Sequence, residues 1–284
     1  MIGIHIEAGL CNRIFQMIFA YTFSKKYNVS FYFEHWKQSS HHTNQVYEWL
    51  VHRFMNSPLY YKGATPIKYT CNWNEPGDSF IDCLDVASMI PSAVNEDERV
   101  FIQGFFQNEG YFKDVREDIL TLLKEPDFIT QSILQKYREN ISLIEKGYFL
   151  HVRLGDYLHL EKHFINLSTY YETCITTIAE KDPNAMIVIF SNQPKDISKV
   201  FPRLYTLLHQ YGLNFIVIDE PDEVIGFYLM NRCSKGGICS NSTYGWWASW
   251  LNTNPEKLVF MPSRWINMTV KGNIYPDYAK IIEV

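Results

Sequence analysis

The stretch GYFLHVRLGDY, residues 147–157, places an apolar run directly before a histidine, an arginine and an aspartate. The run GYFLHV has the length and apolar content of a buried β-strand. In parallel α/β sheets, ligands bind beyond the carboxyl ends of the strands. The stretch is therefore consistent with two interpretations, a ligand-binding strand end or a solvated turn.

The same alternation of short apolar runs and helical patterns recurs along the chain. IGIHI precedes AGLCNRIFQMIFAY, in which Ile14, Met17, Ile18 and Tyr21 form an apolar stripe at helical spacing. From about Lys146 onward the alternation is more regular, with MIVIF, NFIVIDE, GGICS and KLVFM as further strand-like runs. Strands alternating with helices predict βαβ units and parallel sheets, which is an α/β fold.

The chain length predicts two domains. There are 284 residues, and a domain typically has about 150. The charged helical segment ITQSILQKYRENISLIEKG is the expected boundary. The predicted domains are residues 1–140 and 141–284.

Composition excludes some classes of protein. The hydrophobic share of 46 % and the aromatic share of 16 % predict an ordered chain. The net charge of −5 argues against non-specific nucleic-acid binding, which needs a basic surface. An anionic ligand would need a local group of arginines or lysines.

The six cysteines are scattered and form no CxxC pair, which argues against a structural zinc site. They are typical of mostly buried thiols in a reducing compartment. The chain shows neither a signal-peptide pattern nor an apolar stretch of transmembrane length. We therefore expect a cytoplasmic protein without an integral membrane segment.

Arg153 is the residue of the opening stretch best suited to an anion. A guanidinium donates two parallel hydrogen bonds to phosphate oxygens. Asp156 is placed to hold this arginine or to bond a ligand hydroxyl. The alternative is a capping aspartate beside a surface arginine.

The segment CSNSTYGWWASWLN, residues 239–252, predicts a helix with a polar start. One of Asn241, Ser242 and Thr243 is expected to be the N-cap, and a helix N-terminus also binds phosphate. Trp247, Trp250 and Leu251 fall at helical spacing and predict core packing.

The segment AGLCNRIF, residues 8–15, predicts a strand-to-helix turn. It lacks the GxGxxG pattern, so a dinucleotide site of that type is not indicated. Asn12 is expected to cap the helix, with ligand contact as the alternative.

Taken together and in order, seven segments resemble the α-1,2-fucosyltransferase family (glycosyltransferase family 11-like), which is related to other HxRRxD-type fucosyltransferases. They are AGLCNRIFQMIFAY, GFFQNEGYF, HVRLGDY, NLSTYYETCI, IFSN, FYLMNRC and SNSTYGWWASWLN. The family's typical segments read GGLGNQMFQ, GYFQ, HVRRGDY, FSDD, DMxLM and NSSFSWW. The resemblance spans nearly the whole chain.

The resemblance implies a GT-B-like fold, with two Rossmann-type domains facing a central cleft. The first domain would lie on the acceptor side and the second would bind the nucleotide sugar. It implies inverting transfer of L-fucose from GDP-fucose to a hydroxyl of a glycan, the 2-OH of a galactoside. No cofactor and no metal are expected, since the chain has no DxD triplet. A location beside a membrane that carries the acceptor fits this activity.

The resemblance also assigns roles to residues. Arg153 matches the diphosphate-binding arginine, His151 the histidine that contacts the nucleotide, and Asp156 the motif's aspartate. Ser242 and Thr243 match the phosphate-contacting residues at the helix start. Asn12 matches the asparagine of GGLGNQ.

The chain also departs from the family pattern. Leu154 replaces the second arginine of HxRRxD, and Asn192 stands where FSD has aspartate. In the turn of residues 8–13, Ala8 and Cys11 replace glycines and Arg13 replaces a glutamine. Gly226 stands where DMxLM has the aspartate that helps related enzymes recognise guanine. Glu223, one turn earlier, is a candidate to replace it.

Two residues are candidates for the general base. Glu161 lies five residues after Asp156, the spacing of the catalytic carboxylate in related α-1,6 enzymes. The alternative for Glu161 is a solvated loop residue. His163 is the second candidate, and a reaction without a base is the third alternative.

Two rival functions stay open at this point. One is a transferase of the same fold that uses another GDP- or UDP-linked sugar. The other is a non-catalytic sugar-binding protein. Leu154 and Gly226 favour the rivals, whereas Arg153 and the polar helix start favour a transferase.

Overall fold

The structure, a computed structural model, describes residues 1–37, 45–76, 83–95, 97–267 and 274–284. It contains two compact units, Met1–Lys124 with Ile274, and residues 125–267 with 275–284. Each unit is a parallel β-sheet with helices between its strands. The prediction of a GT-B-like fold with two Rossmann-type units is confirmed.

The first unit has four described strands in the order β2-β1-β4-β3. Its strands are β1 (Ile2–His5), β2 (Phe31–Glu34), β3 (Cys71–Asn74) and β4 (Val100–Gln103), and its helices are α1 (Leu10–Tyr27), α2 (Gln45–Met55), α3 (Val86–Met89) and α4 (Arg116–Leu122). The predicted stripe of α1 is buried at Ile14, Met17 and Ile18. The helix ends at Asn28, whose left-handed backbone directs its N–H to the Ser24 carbonyl.

The second unit has six described strands in the order β10-β9-β8-β5-β6-β7. The strands are β5 (Tyr148–Val152), β6 (Met186–Ser191), β7 (Asn214–Ile218), β8 (Gly236–Ile238), β9 (Leu258–Pro262) and β10 (Ala279–Ile282), and the helices are α5 (Asp127–Lys136), α6 (Ile141–Glu145), α7 (Ser168–Lys181), α8 (Ile197–Val200), α9 (Leu204–Gln210), α10 (Glu223–Asn231) and α11 (Thr243–Leu251). Counted from β5, this is the Rossmann order 3-2-1-4-5-6. The order reverses between β5 and β8.

The two units divide after Lys124, earlier in the chain than residue 140. Two ion pairs show why α5 and the residues just before it belong to the second unit. Arg232 Nη2 lies 2.7 Å from Glu125 Oε1, and Lys136 Nζ lies 2.9 Å from Glu220 Oε2. These long-range contacts attach the charged segment to the α10 region, and the local sequence pattern does not reveal them.

The core of the second unit includes central strand β5, all five of whose residues are buried. The predicted packing of Trp247, Trp250 and Leu251 is confirmed, since each is at most 7 % exposed. Four of the six cysteines are buried. Across the described ranges, no helix is both long and apolar enough to cross a bilayer.

Candidate functional site

The candidate site lies where the strand order of the second unit reverses. In open α/β sheets this point leaves a crevice at the carboxyl ends of the strands, and ligands bind there. The segment that follows β5 and the segment between β8 and α11 both start at this point. They are the two segments that the sequence singled out for anion binding.

His151 is buried at the end of β5, with 4 % of its surface exposed. Its Nδ1 lies 3.0 Å from Ser240 Oγ. The site is tight because a Cβ on Gly245 would lie 3.2 Å from the same nitrogen. Burial, with a smaller contribution from the charge of Arg153, lowers the pKa of His151 to about 3. His151 is therefore a neutral hydrogen-bonding group at physiological pH.

Arg153 is fixed by two neighbours and keeps part of its donor capacity. Its Nη2 lies 2.5 Å from Asp156 Oδ1, and its guanidinium carbon stands 4.8 Å above the ring centre of Tyr157. The predicted Arg153–Asp156 contact is confirmed. The buried Nε has no acceptor within the described part of the chain. A buried donor of this kind favours an anionic ligand, which would satisfy it.

The start of α11 is built as a polar N-terminus. Ser242 is the N-cap, and its hydroxyl faces the Tyr244 amide at 3.4 Å, so the predicted capping is confirmed. Thr243 is the first helical residue. Asn241 Nδ2 donates to the carbonyls of His163 and Trp265 at 2.9 and 3.1 Å. This loop is thereby fixed, and the helix N-terminus is suited to a phosphate.

The two candidate bases differ in their surroundings. Glu161 is exposed in the loop after Asp156, and its carbonyl accepts from Asn267 Nδ2 at 3.2 Å. The His163 ring is half-buried and stacks on Tyr157 with ring centres 4.9 Å apart. Burial lowers the pKa of His163, and the charge of Lys162 adds to this effect. The structure thus connects His163, through Tyr157, to Arg153, and leaves the Glu161 carboxylate outside this stack.

One family model matches the chain. The family model described as glycosyl transferase family 11 matches residues 92–265, which is more than half of the chain. The chain belongs to glycosyl transferase family 11.

Two curated relatives come from Escherichia coli. The O-antigen biosynthesis glycosyltransferase WbnK is 29 % identical over 57 % of this chain and 51 % of the relative. An alpha-1,2-colitosyltransferase is 24 % identical over 64 % of this chain and 61 % of the relative. The chain thus spans less than two-thirds of the length of these relatives.

Among solved structures, a point mutant of Arabidopsis thaliana FUT1 in complex with GDP matches with a TM-score of 0.52. The identity is 11 %, and the match covers 92 % of this chain and 69 % of that one. At this identity the likeness concerns the fold.

The departure from the family-11 pattern at Leu154 has a structural explanation. The Leu154 side chain is fully buried in the core of the second unit. Asn192 Oδ1 accepts from the Leu154 amide at 2.8 Å, and Asn192 Nδ2 donates to the Leu154 carbonyl at 3.1 Å. An aspartate at 192 would lack the donor for the second bond. Leu154 and Asn192 therefore act together to fix the loop that carries Arg153.

The side chains nearest to the Cβ position of Gly226 are those of Tyr244 and Glu220. A Cβ at Gly226 would lie 2.9 Å from the Tyr244 hydroxyl and 3.7 Å from Glu220 Cγ. That hydroxyl donates to the Glu223 carbonyl at 2.7 Å. Glu223 is half-buried at the first position of α10. Tyr244 and Glu220 thus line the space that a side chain at 226 would enter.

Asn12 does not cap α1, and that prediction is wrong. Gly9 is the N-cap, and Asn12 Oδ1 accepts from Gln107 Nε2 at 3.0 Å in the first unit. The turn before the helix is held by Arg13, whose Nε donates to the Ala8 carbonyl at 2.6 Å. This hydrogen bond gives Arg13 a structural role at a position where the family pattern has a glutamine.

Ala8 has a left-handed backbone with φ of 66°. We expect Ala8→Gly, which restores the residue of the family pattern, to raise the free energy of unfolding by about 0.5–1 kcal/mol, because glycine adopts this conformation without steric strain. Denaturant unfolding measures the change. Gly9→Ala is the matched control, since Gly9 has φ of −73° and open space at its Cβ position. A lower stability for Ala8→Gly would contradict the prediction.

Most of the sequence-predicted residues come together in the second unit. His151, Arg153, Asp156, Ser242 and Thr243 all lie in the two segments at the strand-order reversal. Glu161 lies apart from the Arg153 stack, and Asn12 belongs to the first unit.

Sequence reasoning missed the roles of Ser240, Tyr157 and Tyr244, and it named Asn192 only as a departure from the family pattern. Ser240 contacts His151, Tyr157 supports Arg153, Asn192 fixes the loop and Tyr244 faces Gly226. Each of these four residues lies within or beside a segment that the sequence analysis quoted, but no local pattern shows which residue it contacts.

Proposed function

We propose that the chain is an inverting glycosyltransferase that moves L-fucose from GDP-fucose onto a hydroxyl of a glycan, the 2-OH of a galactoside. The second unit binds the nucleotide sugar, and the first unit binds the acceptor. The observation that carries the proposal is the partly unsatisfied guanidinium of Arg153 at the strand-order reversal, where α11 also begins. Membership of family 11 supports the reaction class.

In this reaction the acceptor oxygen attacks the anomeric carbon on the side opposite the diphosphate. The bond from that carbon to the diphosphate oxygen breaks, and the diphosphate leaves with the electron pair. Negative charge therefore grows on the leaving group. Arg153, with the amides near Ser242 and Thr243, stabilises this charge. These groups replace a metal ion in the proposed mechanism.

His151 and Asp156 have supporting roles in the proposed site. His151 stays neutral because its pKa lies near 3, so it hydrogen-bonds the nucleotide without adding charge. Asp156 holds one arm of the Arg153 guanidinium. That contact leaves the remaining N–H groups for the diphosphate.

The name of one relative, an alpha-1,2-colitosyltransferase, supports an α-1,2 linkage, and the names of both relatives leave the sugar open. One relative is named for colitosyl transfer and the other for O-antigen biosynthesis. The geometry around Gly226 supports a second candidate, a transferase for another nucleotide sugar. The Tyr244 hydroxyl stands next to the position where the family pattern has a carboxylate.

Calorimetric titration with GDP and UDP separates these candidates. We expect tighter binding of GDP, and we expect Glu223→Gln to weaken it by about 1–3 kcal/mol, the contribution of a charged hydrogen bond. Gly226→Asp made together with Tyr244→Phe, which removes the facing hydroxyl, is expected to raise the preference for GDP. Tyr244→Phe alone and Glu180→Gln, an exposed residue of α7, are the controls.

Two other results of the titration would each support one of the rival functions. Tight UDP binding without GDP binding would indicate another donor. Absence of binding to both nucleotides and to their sugars would indicate a non-catalytic sugar-binding protein.

The proton of the attacking hydroxyl needs an acceptor if general-base catalysis operates. Glu161 remains a proposed base, with His163 as the second. The rates of sugar transfer by Glu161→Gln and His163→Gln distinguish these two candidates.

A further inference from the structure

Gly226 stands inside a helix, where glycine is an unfavourable residue. It is the fourth residue of α10 and is buried with a helical backbone, so the backbone itself does not require glycine. The surroundings give the reason. A Cβ at 226 would lie 2.9 Å from the Tyr244 hydroxyl oxygen, whereas the next nearest atom, Glu220 Cγ, would be 3.7 Å away. The Tyr244 hydroxyl therefore occupies the space that a larger residue at 226 would need.

The same hydroxyl joins the first turns of two helices. It donates to the carbonyl of Glu223 at 2.7 Å. Glu223 is the first residue of α10, and Tyr244 is the second residue of α11. The two helices follow the parallel strands β7 and β8, so both begin at the carboxyl edge of the sheet. The bond thus connects two helix starts at the edge where the candidate site lies.

The start of α10 is a firm anchor for this bond. Asp222 is the N-cap, and its carboxylate accepts from two amides of the first turn at 2.9 and 3.1 Å. The Asp222 amide donates to Glu220 Oε1 at 3.1 Å. The other carboxylate oxygen of Glu220 accepts from Lys136 Nζ and from the Tyr137 hydroxyl, both at 2.9 Å. The first turn of α10 is therefore held both by its own cap and by contacts to the end of α5.

The ring of Tyr244 packs against two other rings. Its centre lies 5.5 Å from that of His151 and 5.8 Å from that of Phe227. The Tyr244 amide faces the hydroxyl of Ser242, the N-cap of α11, at 3.4 Å. One residue thus contacts the His151 ring, the cap of α11 and the start of α10. A shift of Tyr244 would therefore also move the first turn of α11.

We propose that Tyr244 is a positioning residue for the diphosphate of the donor. Its hydroxyl fixes the first turn of α11 against α10, and residue 226 is glycine because that hydroxyl needs the space. This inference rests on the proposed glycosyl transfer, in which the start of α11 binds the diphosphate. Without the bond, the start of α11 also adopts arrangements that do not bind the diphosphate, and the apparent affinity falls with the fraction of protein that is competent to bind.

The first variant is Tyr244→Phe, which removes one oxygen atom and keeps the ring packing. Calorimetric titration is expected to show GDP binding weakened by about 3–10-fold, the factor that one hydrogen bond contributes. In transfer from GDP-fucose to a galactoside, the KM for the donor is expected to rise while kcat is kept, because bound donor restores the arrangement. Tyr205→Phe is the matched control, since Tyr205 is a half-buried tyrosine of α9 in the same unit.

The second variant, Gly226→Ala, is made both in the parent protein and in Tyr244→Phe. In the parent protein the new methyl group displaces the hydroxyl from the Glu223 carbonyl, so GDP binding and the denaturant midpoint are both expected to fall. In Tyr244→Phe the nearest remaining atom lies 3.7 Å from the methyl group, which is an ordinary contact. There, Gly226→Ala is expected to leave GDP binding unchanged and to raise the midpoint, because alanine favours a helix over glycine.

The outcomes separate this inference from the proposed function. If the parent protein binds GDP and Tyr244→Phe binds it equally well, the inference is overturned and the proposed function stands. A lower kcat with an unchanged KM would also overturn it, since that pattern reflects loss of folded protein. So would additive effects of Gly226→Ala and Tyr244→Phe, because residues without a shared contact behave in that way. If the parent protein binds UDP in place of GDP, the same comparison is made with UDP, which carries the same diphosphate. If it binds neither, the proposed function and this inference both fail.

Discussion

Replacement of Arg153 by alanine is expected to lower kcat/KM for sugar transfer by about two to three orders of magnitude, the effect of removing one strong donor from a developing anion. Arg153→Lys is expected to restore little, because an ammonium ion cannot reproduce the two parallel hydrogen bonds of a guanidinium. Initial rates of transfer over a range of donor concentrations measure both effects.

The structure predicts that Arg153→Ala folds. The ion pair that it loses is with the exposed Asp156, and such pairs contribute at most about 1 kcal/mol. Arg138→Ala is a matched control, since Arg138 is an exposed arginine of the same unit. Near-normal turnover by folded Arg153→Ala would refute the assignment of the diphosphate site.

Leu154→Arg is expected to destabilise the second unit by at least about 3 kcal/mol, although it restores the residue of the family pattern. Leu154 is fully buried in the core, and a buried guanidinium without a carboxylate partner is strongly unfavourable. Asn192 bonds the amide and the carbonyl of Leu154, so the backbone resists the movement that would expose the new side chain. Denaturant unfolding measures the loss.

Leu154→Met is the matched control because it conserves volume and apolar character. Its expected change is less than about 1.5 kcal/mol. If Leu154→Arg unfolded at the same denaturant concentration as Leu154→Met and bound GDP more tightly, the arginine would have found a ligand-facing position. That result would show that the loop conformation adapts to residue 154.

The site residues of the second unit were largely predictable because their signals are local. A buried strand with His151 near its carboxyl end and Arg153 directly after it places both residues at the carboxyl edge of the sheet, whatever the strand order. A serine before an apolar helical stripe predicts an N-cap, and Ser242 is one. The same reasoning gave a wrong prediction for Asn12. Gly9 provides the N-cap, and the Asn12 side chain instead bonds Gln107, which is 95 residues away.

The sequence by itself determined the α/β class, the division into two domains, and the segments that carry Arg153 and Ser242. These features follow from periodicity and short motifs, which act over a few residues. The tertiary structure decided which segments meet. Asn192 reaches Leu154 across 38 residues, and Ser240 reaches His151 across 89. Such contacts depend on strand order and register, and these are set by packing of the whole sheet rather than by any local pattern.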